Sequence, residues 1–586
     1  MFYKVGMHIH VIPNRDSPPT VLLRESYRDG KTVKKRTLAN LSALPAEQIE
    51  LIRQVLRGEK LVAPASLFEI DASRHHGHVQ AVWLAMQRLG LAQLLSTRPC
   101  AERQRVLAMI AARILRPNSK LATTRWWDTT TLPELFELDA CDEQALYAAM
   151  DWLLERQDAI QGKLAQRHLQ PGDLVLYDLS SSYFEGSTCE LAALGYNRDG
   201  KRGKLQVNYG LLTDARGVPV AISVFEGNTA DADTFMPQVT QLRERFGIDE
   251  MVLVGDRGMI AQTHIDALRA ETGLQWITAL KSGGLRVLAS EGALQLGLFD
   301  ERNLFEFTHA DYPGERLVAC RNPELAKRRA HKRQALLEAT VALLEPIRQR
   351  VAAGRLKGQD RIGLCVGKVL NRYKVGKHLD LVIGDASFEY TINEARVAQE
   401  ATLDGIYVIR TAVPQERMGS DDVVRNYKSL SQVEQAFRSM KTVDLEVRPI
   451  YHRLADRVRA HLLLCMLAYY VKWHMMQAWR PLLFADEEQA AKAQRDPVAP
   501  ARRSAGALRK VSIRTLEDGT CVHSFDSLLH HLSTIVRNAC HHPGASAPEA
   551  TFTLDTAPDA KQLQALELLR PLPCRQQPNS GSTITD

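Results

Sequence analysis

Asp178, Asp256 and Glu434 are the residues of this sequence best placed to do chemistry. Asp178 closes the apolar run Leu174-Val175-Leu176-Tyr177, and Asp256 closes a second run, Met251-Val252-Leu253-Val254-Gly255. Glu434 lies far downstream, in the helical pattern of residues 427–441. Two aspartates at strand ends and a distant helical glutamate can hold two divalent cations, and hard oxygen donors select Mg²⁺ or Mn²⁺ over zinc. Two such ions about 4 Å apart cut and join phosphodiester bonds. A lone aspartate at a strand end more often caps a turn. The same placement on two strands carries the metal reading. Arg257, next to Asp256, is a candidate phosphate contact, with a salt bridge as the commoner alternative.

The glutamate has a patterned neighbourhood. Tyr427, Glu434 and Lys441 are spaced seven apart, nearly two helical turns, so all three share one face. That face offers a phenol, a metal ligand and a phosphate-binding ammonium in a row. Arg438, one turn beyond Glu434, can pair with it or with phosphate. Val433 and Phe437 give the helix its core side. An amphipathic helix with a satisfied salt bridge is the plainer reading of the same pattern.

These residues must be positioned by elements that the pattern also predicts. Residues 174–177 form a continuous apolar run, as a doubly covered strand does. Residues 205–212 and 218–225 read as strands joined by the turn Thr213-Asp214-Ala215-Arg216-Gly217. A helix over 231–246, a strand over 251–254, a helix over 260–271 and a strand over 275–280 follow. Three antiparallel strands and then alternating helices and parallel strands are the layout of a ribonuclease-H-like α/β core. In that topology the first and fourth strands are parallel neighbours, which brings Asp178 and Asp256 together.

Around this core the chain divides into six parts. Residues 1–70 read as an α+β module with strands over 2–12 and 20–27, a turn at Arg28-Asp29-Gly30-Lys31 and a helix over 45–58. Residues 71–170 read as a helical bundle with a DNA-binding role, and Trp126 and Trp127 as its core. The catalytic core occupies 171–284 and resumes over 416–485. Between them, 285–415 reads as a β-rich insertion with strands near 304–308, 363–370, 379–383 and 406–410, and a long basic helix over 323–353. Residues 486–586 read as a linker, a small module over 508–539 and a disordered tail over 571–586.

Composition excludes several classes. The chain has 586 residues, 45% hydrophobic and 24% charged, and a net charge of +7. That balance permits nucleic-acid binding without establishing it. Basic residues cluster at Lys34-Lys35-Arg36, at Lys327, Arg328, Arg329, Lys332 and Arg333, and at Arg502, Arg503, Arg509 and Lys510. The nine cysteines are dispersed, with no C-x-x-C pair, which suits reduced thiols in a cytosol. The N-terminus lacks a signal-peptide core, and the apolar run at 461–470 is too short to span a bilayer. No HExxH, Walker A or G-x-S-x-G sequence occurs, so Ser180, Ser181 and Ser182 are not read as nucleophiles. His75, His76 and His78, and Cys540-His541-His542, lack the partners of a metal site.

The run Tyr427-Lys428-Ser429-Leu430-Ser431-Gln432-Val433-Glu434-Gln435-Ala436-Phe437-Arg438-Ser439-Met440-Lys441 resembles the Tyr-Arg-Glu-Lys signature of DDE insertion-sequence transposases. Leu430 stands at the Arg position, and the contact of that Arg falls to Arg438. The segments around Asp178, Gly255-Asp256-Arg257-Gly258-Met259 and Gly227-Asn228-Thr229 resemble the same family, as does the insertion. The likeness covers residues 170–480 and, less specifically, the first 70 through Glu25-Ser26-Tyr27-Arg28-Asp29-Gly30. It implies that Asp178, Asp256 and Glu434 bind two ions, one activating water or a 3′-hydroxyl and the other stabilising the leaving oxygen. It also implies that Tyr427 and Lys441 hold double-stranded DNA at the transposon's terminal inverted repeats. Target DNA, a homodimer on DNA and a cytoplasmic, nucleoid-associated location go with that. A DNA-binding remnant without catalysis, and a ribonuclease-H-like nuclease that cuts without joining, remain the alternatives.

Overall fold

The computed structural model describes residues 6–15, 17–59, 67–488, 495–500, 502–542 and 551–570. The expected start of the first strand, part of the linker and the C-terminal tail lie outside the described residues. The chain forms two compact units, Met1–Ser73 with Arg537–Thr556, and Arg74–Val536 with Ala557–Asp586.

The first unit contains an antiparallel sheet of strands Gly6–Ile12, Thr20–Asp29 and Thr32–Asn40, followed by the helix Ala46–Leu56. Gly30, with φ of +64°, makes the turn between the second and third strands. The third strand is a correction to the sequence reading, which saw only a polar flank. All nine of its residues are exposed, so it carries no alternating pattern to reveal it. Strands Glu69–His75, Val536–His541 and Thr551–Asp555 make a second sheet.

The second unit is a mixed α/β body built on eight strands: β1 (Leu174–Tyr183), β2 (Gln206–Asp214), β3 (Pro219–Glu226), β4 (Met251–Gly255), β5 (Leu274–Ala279), β6 (Leu304–Phe307), β7 (Arg316–Arg321) and β8 (Ile406–Thr411). Their order in the sheet is β6-β7-β8-β5-β4-β1-β2-β3. β1 runs parallel to β4, and β4 parallel to β5. The hairpins β1–β2 and β2–β3 are antiparallel, as are the pairs β5–β8, β8–β7 and β7–β6. β1, β2 and β4 are almost wholly buried; β4 and the first four residues of β1 are unbroken apolar runs, whereas Ser180–Ser182 of β1 and Gln206, Asn208, Thr213 and Asp214 of β2 are polar and buried.

Helices cover this sheet. Among them, Gly77–Leu89, Ala101–Leu115, Glu143–Leu154 and Gln157–His168 share one hydrophobic core with the strands. Trp127 is buried in that core and Trp126 packs against it. The 24-residue helix Ala455–Ala478 is the centrepiece, packing on Ala101–Leu115, Glu143–Leu154 and β3. It is buried on all sides from Ala460 to Lys472, so its sequence shows no polar stripe. No described helix is long and apolar enough to cross a membrane.

The segment read as a β-rich insertion divides its strands. β6, β7 and β8 extend the main sheet, and the rest is largely helical. Residues 363–370 are not a strand but part of the helix Gln359–Tyr373. Ile362 and Val366, one turn apart, are its buried contacts, and a short Val/Leu-rich run hid that spacing. This helix packs on the 30-residue helix Pro323–Ala352 and the hairpin Leu379–Ile383/Phe388–Ile392 around a separate core. Lys327, Arg328, Arg329 and Lys332 are exposed along the long helix, whereas Arg333 is bound to Asp404 at 2.6 Å. The stretch read as a linker is packed where it is described. Val498 is buried, and its carbonyl accepts hydrogen bonds from Asn322 and Lys428.

Leu464 is fully buried in the central helix. Leu464→Ala leaves a cavity where helix, bundle and sheet meet. It is expected to lower the unfolding free energy by about 2–5 kcal/mol, measured by urea denaturation followed by tryptophan fluorescence.

Candidate active site

The parallel ladder between β1 and β4 ends at the pair Tyr177↔Gly255. Asp178 and Asp256 are therefore the next residues on two adjacent strands. Asp178 is not at a strand end as expected: β1 continues to Tyr183, antiparallel to β2, with Ser180, Ser181 and Ser182 buried. Only the β4 side of its ladder stops there, and that opens room beside it. Asp256 leaves β4 in a turn closed by hydrogen bonds from Met259 and Ile260 N–H to its carbonyl, at 2.9 and 3.2 Å. The flanking glycines do not adopt positive φ. Gly255 instead gives close approach, since a Cβ there would meet Ile260 Cδ1 at 3.0 Å.

Glu434 arrives from above the same sheet face. Helices Ser420–Lys428 and Leu430–Arg438 are joined at Ser429, and a π-helical turn, Ser439–Val443, follows. Val433, Ala436 and Phe437 are buried, and Phe437 packs edge-on against Tyr209 of β2. The β2–β3 turn supports the start of this helix. Gly217, with φ of +83°, lies where a Cβ would be 2.8 Å from Gln432 Cβ.

The three carboxylates line one cavity of about 680 Å³ together with Tyr427, Arg438, Lys441, Arg198, Asp199 and Arg448, among others. Tyr427 donates its hydroxyl to Asp256 at 3.3 Å. Its phenol is pushed above the usual tyrosine range by burial and by that carboxylate. Arg438 is exposed at the cavity wall and makes no ion pair with Glu434 among the described residues. Lys441 is buried, with Nζ 2.6 Å from Asp199 and 3.2 Å from Ser180 Oγ. Burial pulls its ammonium below the usual lysine range, against the attraction of Asp199. Arg257 is exposed and does not line the cavity.

None of the three carboxylates has an arginine, lysine or histidine within 4.0 Å among the described residues, although 68 Asp and Glu share the chain with 75 Lys and Arg. Burial, reinforced by Asp256 and Glu434, pushes the Asp178 carboxyl up to about 7, even though Leu179 N–H donates to it at 2.8 Å. Converging, unneutralised carboxylates are the donor set of a divalent-cation site. The oxygens are not drawn together as a single small ion would draw them. Among the described residues, the triplet whose ligand atoms lie within 4.8 Å of one another is Glu291, His309 and Asp311. That histidine is already engaged, with Nε2 3.1 Å from Glu291 and Nδ1 accepting from Asp311 N–H.

Four charged cavity residues escaped the sequence reading: Arg198, Asp199, Asp231 and Arg448. Arg198 is paired with Asp231 and Arg448 with Asp199. A signal was present in the loop Gly195-Tyr196-Asn197-Arg198-Asp199-Gly200-Lys201-Arg202-Gly203-Lys204, where charged residues and glycines crowd between two apolar strands. The loop is held tightly: a Cβ on Gly195 would sit 2.0 Å from the carbonyl oxygen of Gly227. Gly227 is as closely packed, since a Cβ there would sit 2.0 Å from the carbonyl oxygen of Gln206.

Comparison with known proteins identifies the family. Residues 172–471, over half the chain, match the family model of the transposase DDE domain. Residues 9–65 match the N-terminal domain of IS1634 family transposases. The chain belongs to the DDE transposase family. It is an insertion-sequence transposase, and its activity is cleavage of DNA and transfer of the cut strand. Enzymes of this family act on DNA and use divalent metal ions. A solved piggyBac transposase synaptic complex with hairpin DNA is 8% identical, over 75% of this chain and 80% of that one, with a TM-score of 0.33. At that score the likeness is no measure of a shared fold. No curated protein sequence matches the chain.

The raised carboxyl of Asp178 has a consequence for stability. Its proton is bound more tightly in the folded than in the unfolded chain, so ionisation works against folding. The penalty is absent below about pH 4, grows as pH rises toward 7 and is complete above it. Asp178→Asn removes it. In metal-free buffer at pH 8 the variant is expected to be more stable than wild type by about 1–3 kcal/mol, with the gain vanishing near pH 4 in chemical denaturation.

Proposed function

We propose that Asp178, Asp256 and Glu434 are the catalytic triad of this transposase and hold two divalent ions, Mg²⁺ or Mn²⁺, between them. The observation that carries this reading is the convergence of three carboxylates, without a protein cation, at the edge of the β1–β4 ladder. The order β3-β2-β1-β4-β5, with β1, β4 and β5 parallel, supports a ribonuclease-H-like core.

Bound metal ions supply Lewis acidity, lowering the pKa of an attacking oxygen and stabilising the charge on a departing one. The chain's own residues orient the reactants. Asp178 is fixed by the Leu179 N–H and by the sheet, so its position varies little. Tyr427 braces Asp256 through its hydroxyl, which limits that carboxylate to few rotamers. Glu434 rides on a helix wedged against β2, which sets its distance to the sheet. Lys441 and Arg438 present positive charge along the wall on which a phosphodiester would lie. Water attack cuts the strand, and a 3′-hydroxyl attacking a second phosphodiester joins it. Phosphodiester bonds are conserved in the joining step, so ATP is not required.

The substrates in this reading are the element's terminal inverted repeats and a target duplex, bound by a dimer of the chain in the nucleoid. The exposed Lys327, Arg328, Arg329 and Lys332 offer further phosphate contacts. Arg257, off the cavity, is assigned to DNA outside the reacting phosphates.

Asp256→Asn and Glu434→Gln are each expected to reduce Mg²⁺-dependent nicking of a duplex carrying the element's end by more than about 10³-fold. End binding in a mobility-shift assay should stay within about twofold of wild type. Nicking at the wild-type rate in either variant would remove that carboxylate from the triad.

A further inference from the structure

Asp199, a carboxylate of the cavity wall, is shut off from solvent, with 1% of its side chain exposed. It sits in the loop between β1 and β2, and each of its oxygens has a defined task. Oδ2 accepts the backbone N–H of Tyr183, the last residue of β1, at 3.0 Å. Oδ1 takes two cations at once, Lys441 Nζ at 2.6 Å and the guanidinium of Arg448. The loop's own bonds fix the residue. Asp199 N–H donates to Asn197 Oδ1 at 2.9 Å, and Arg198 N–H donates to Ser181 Oγ at 3.3 Å.

Counting charges shows why the arrangement matters. Two cations share one carboxylate, so a positive charge is left over. The neighbouring acid Asp231 is already paired with Arg198 and does not neutralise it. Lys441, Arg448 and Asp199 all line the cavity that also holds the three metal-binding candidates. A half-compensated pair of cations in a partly desolvated wall is a receptor for a group with concentrated negative charge and several acceptor oxygens. A backbone phosphate of DNA has both properties.

We propose that Asp199 is a positioning residue for DNA, drawing Lys441 and Arg448 together so that their excess positive charge binds a backbone phosphate next to the reacting one. The inference rests on the triad reading for which phosphate reacts, but the phosphate contact itself needs no catalysis. Arg448 is then a DNA contact in its own right, and Asp199 acts only through the two cations.

The test measures binding and turnover separately, with the full-length chain and a fluorescent duplex carrying the element's end. Binding is followed by anisotropy over a KCl series in Ca²⁺. Arg448→Gln is expected to reduce the slope of log K against log salt by about 0.9, the value for one lost phosphate contact. Asp199→Asn is expected to raise KM for nicking by about tenfold while leaving its Mg²⁺ dependence unchanged. In a Lys441→Gln/Arg448→Gln background, Asp199→Asn should cost nothing further, because the groups it positions are gone. An equal cost in both backgrounds would make Asp199 a purely structural residue and overturn the proposal. An unchanged salt slope in Arg448→Gln would overturn it as well, and that measurement decides alone should Asp199→Asn not fold. Persistent nicking in Asp256→Asn would instead sink the triad reading and leave the salt slope untouched.

Discussion

The parallel pairing of β1 with β4 is the constraint on which the site depends. It is a long-range contact that ends at Tyr177 and Gly255, and the two residues that follow are both aspartates. Like charges placed side by side repel, and partial burial strengthens the repulsion by lowering the local dielectric. Burial first, and then the charges of Asp256 and Glu434, raise the Asp178 carboxyl. The sheet tolerates it because β1 and β4 are buried on both faces and locked into one large core with the helix Ala455–Ala478. Local instability is thus imposed by global packing, which is how binding sites for cations are commonly kept in readiness.

The cavity is electrically divided rather than uniformly acidic. On one side, Asp178, Asp256 and Glu434 lack protein cations. On the other, Arg198, Lys441 and Arg448 are gathered by Asp231 and Asp199. If Lys441 or Arg448 paired with the triad directly, the acids would be neutralised and lose their attraction for divalent ions. Asp199, a buried acid on the loop between β1 and β2, prevents this by engaging both cations first. The separation suits a phosphodiester backbone, whose successive phosphates can face metal ions and protein cations in turn.

What was legible in the sequence follows from pattern strength. The first half of β1 and all of β4 are short apolar runs, β5 is a short, mostly apolar strand, and the β2–β3 hairpin has its turn residues in place, so the central strands and their order could be read directly, although the buried polar half of β1 could not. Thr32–Asn40 could not, because an all-exposed strand has no periodicity. Arg316–Arg321 also went unread, and residues 363–370 were assigned to the wrong element because a short run rich in valine and leucine fits a strand and a helix face equally. Asp178, Asp256 and Glu434 stood out because each follows or sits in a recognisable element. Asp199 and Arg448 were not, since a loop residue reveals its partner only when tertiary structure joins positions 249 apart.

Spacing alone also mispredicts how Lys441 meets the cavity. Along a continuous α-helix, Tyr427, Glu434 and Lys441 would project from one side at nearly equal heights above the sheet. The real path is interrupted twice, at Ser429 and in the π-helical turn Ser439–Val443, where Asp444 N–H donates to Ser439 five residues back at 3.2 Å. The wider turn redirects the backbone, and Lys441 is buried against Ser180 and Asp199 while Glu434 stays exposed to the cavity. π-helical turns recur at functional sites because they re-aim side chains without ending a helix. Here one such turn gives two residues seven apart different surroundings, the glutamate open to the cavity and the lysine held by a neighbouring acid.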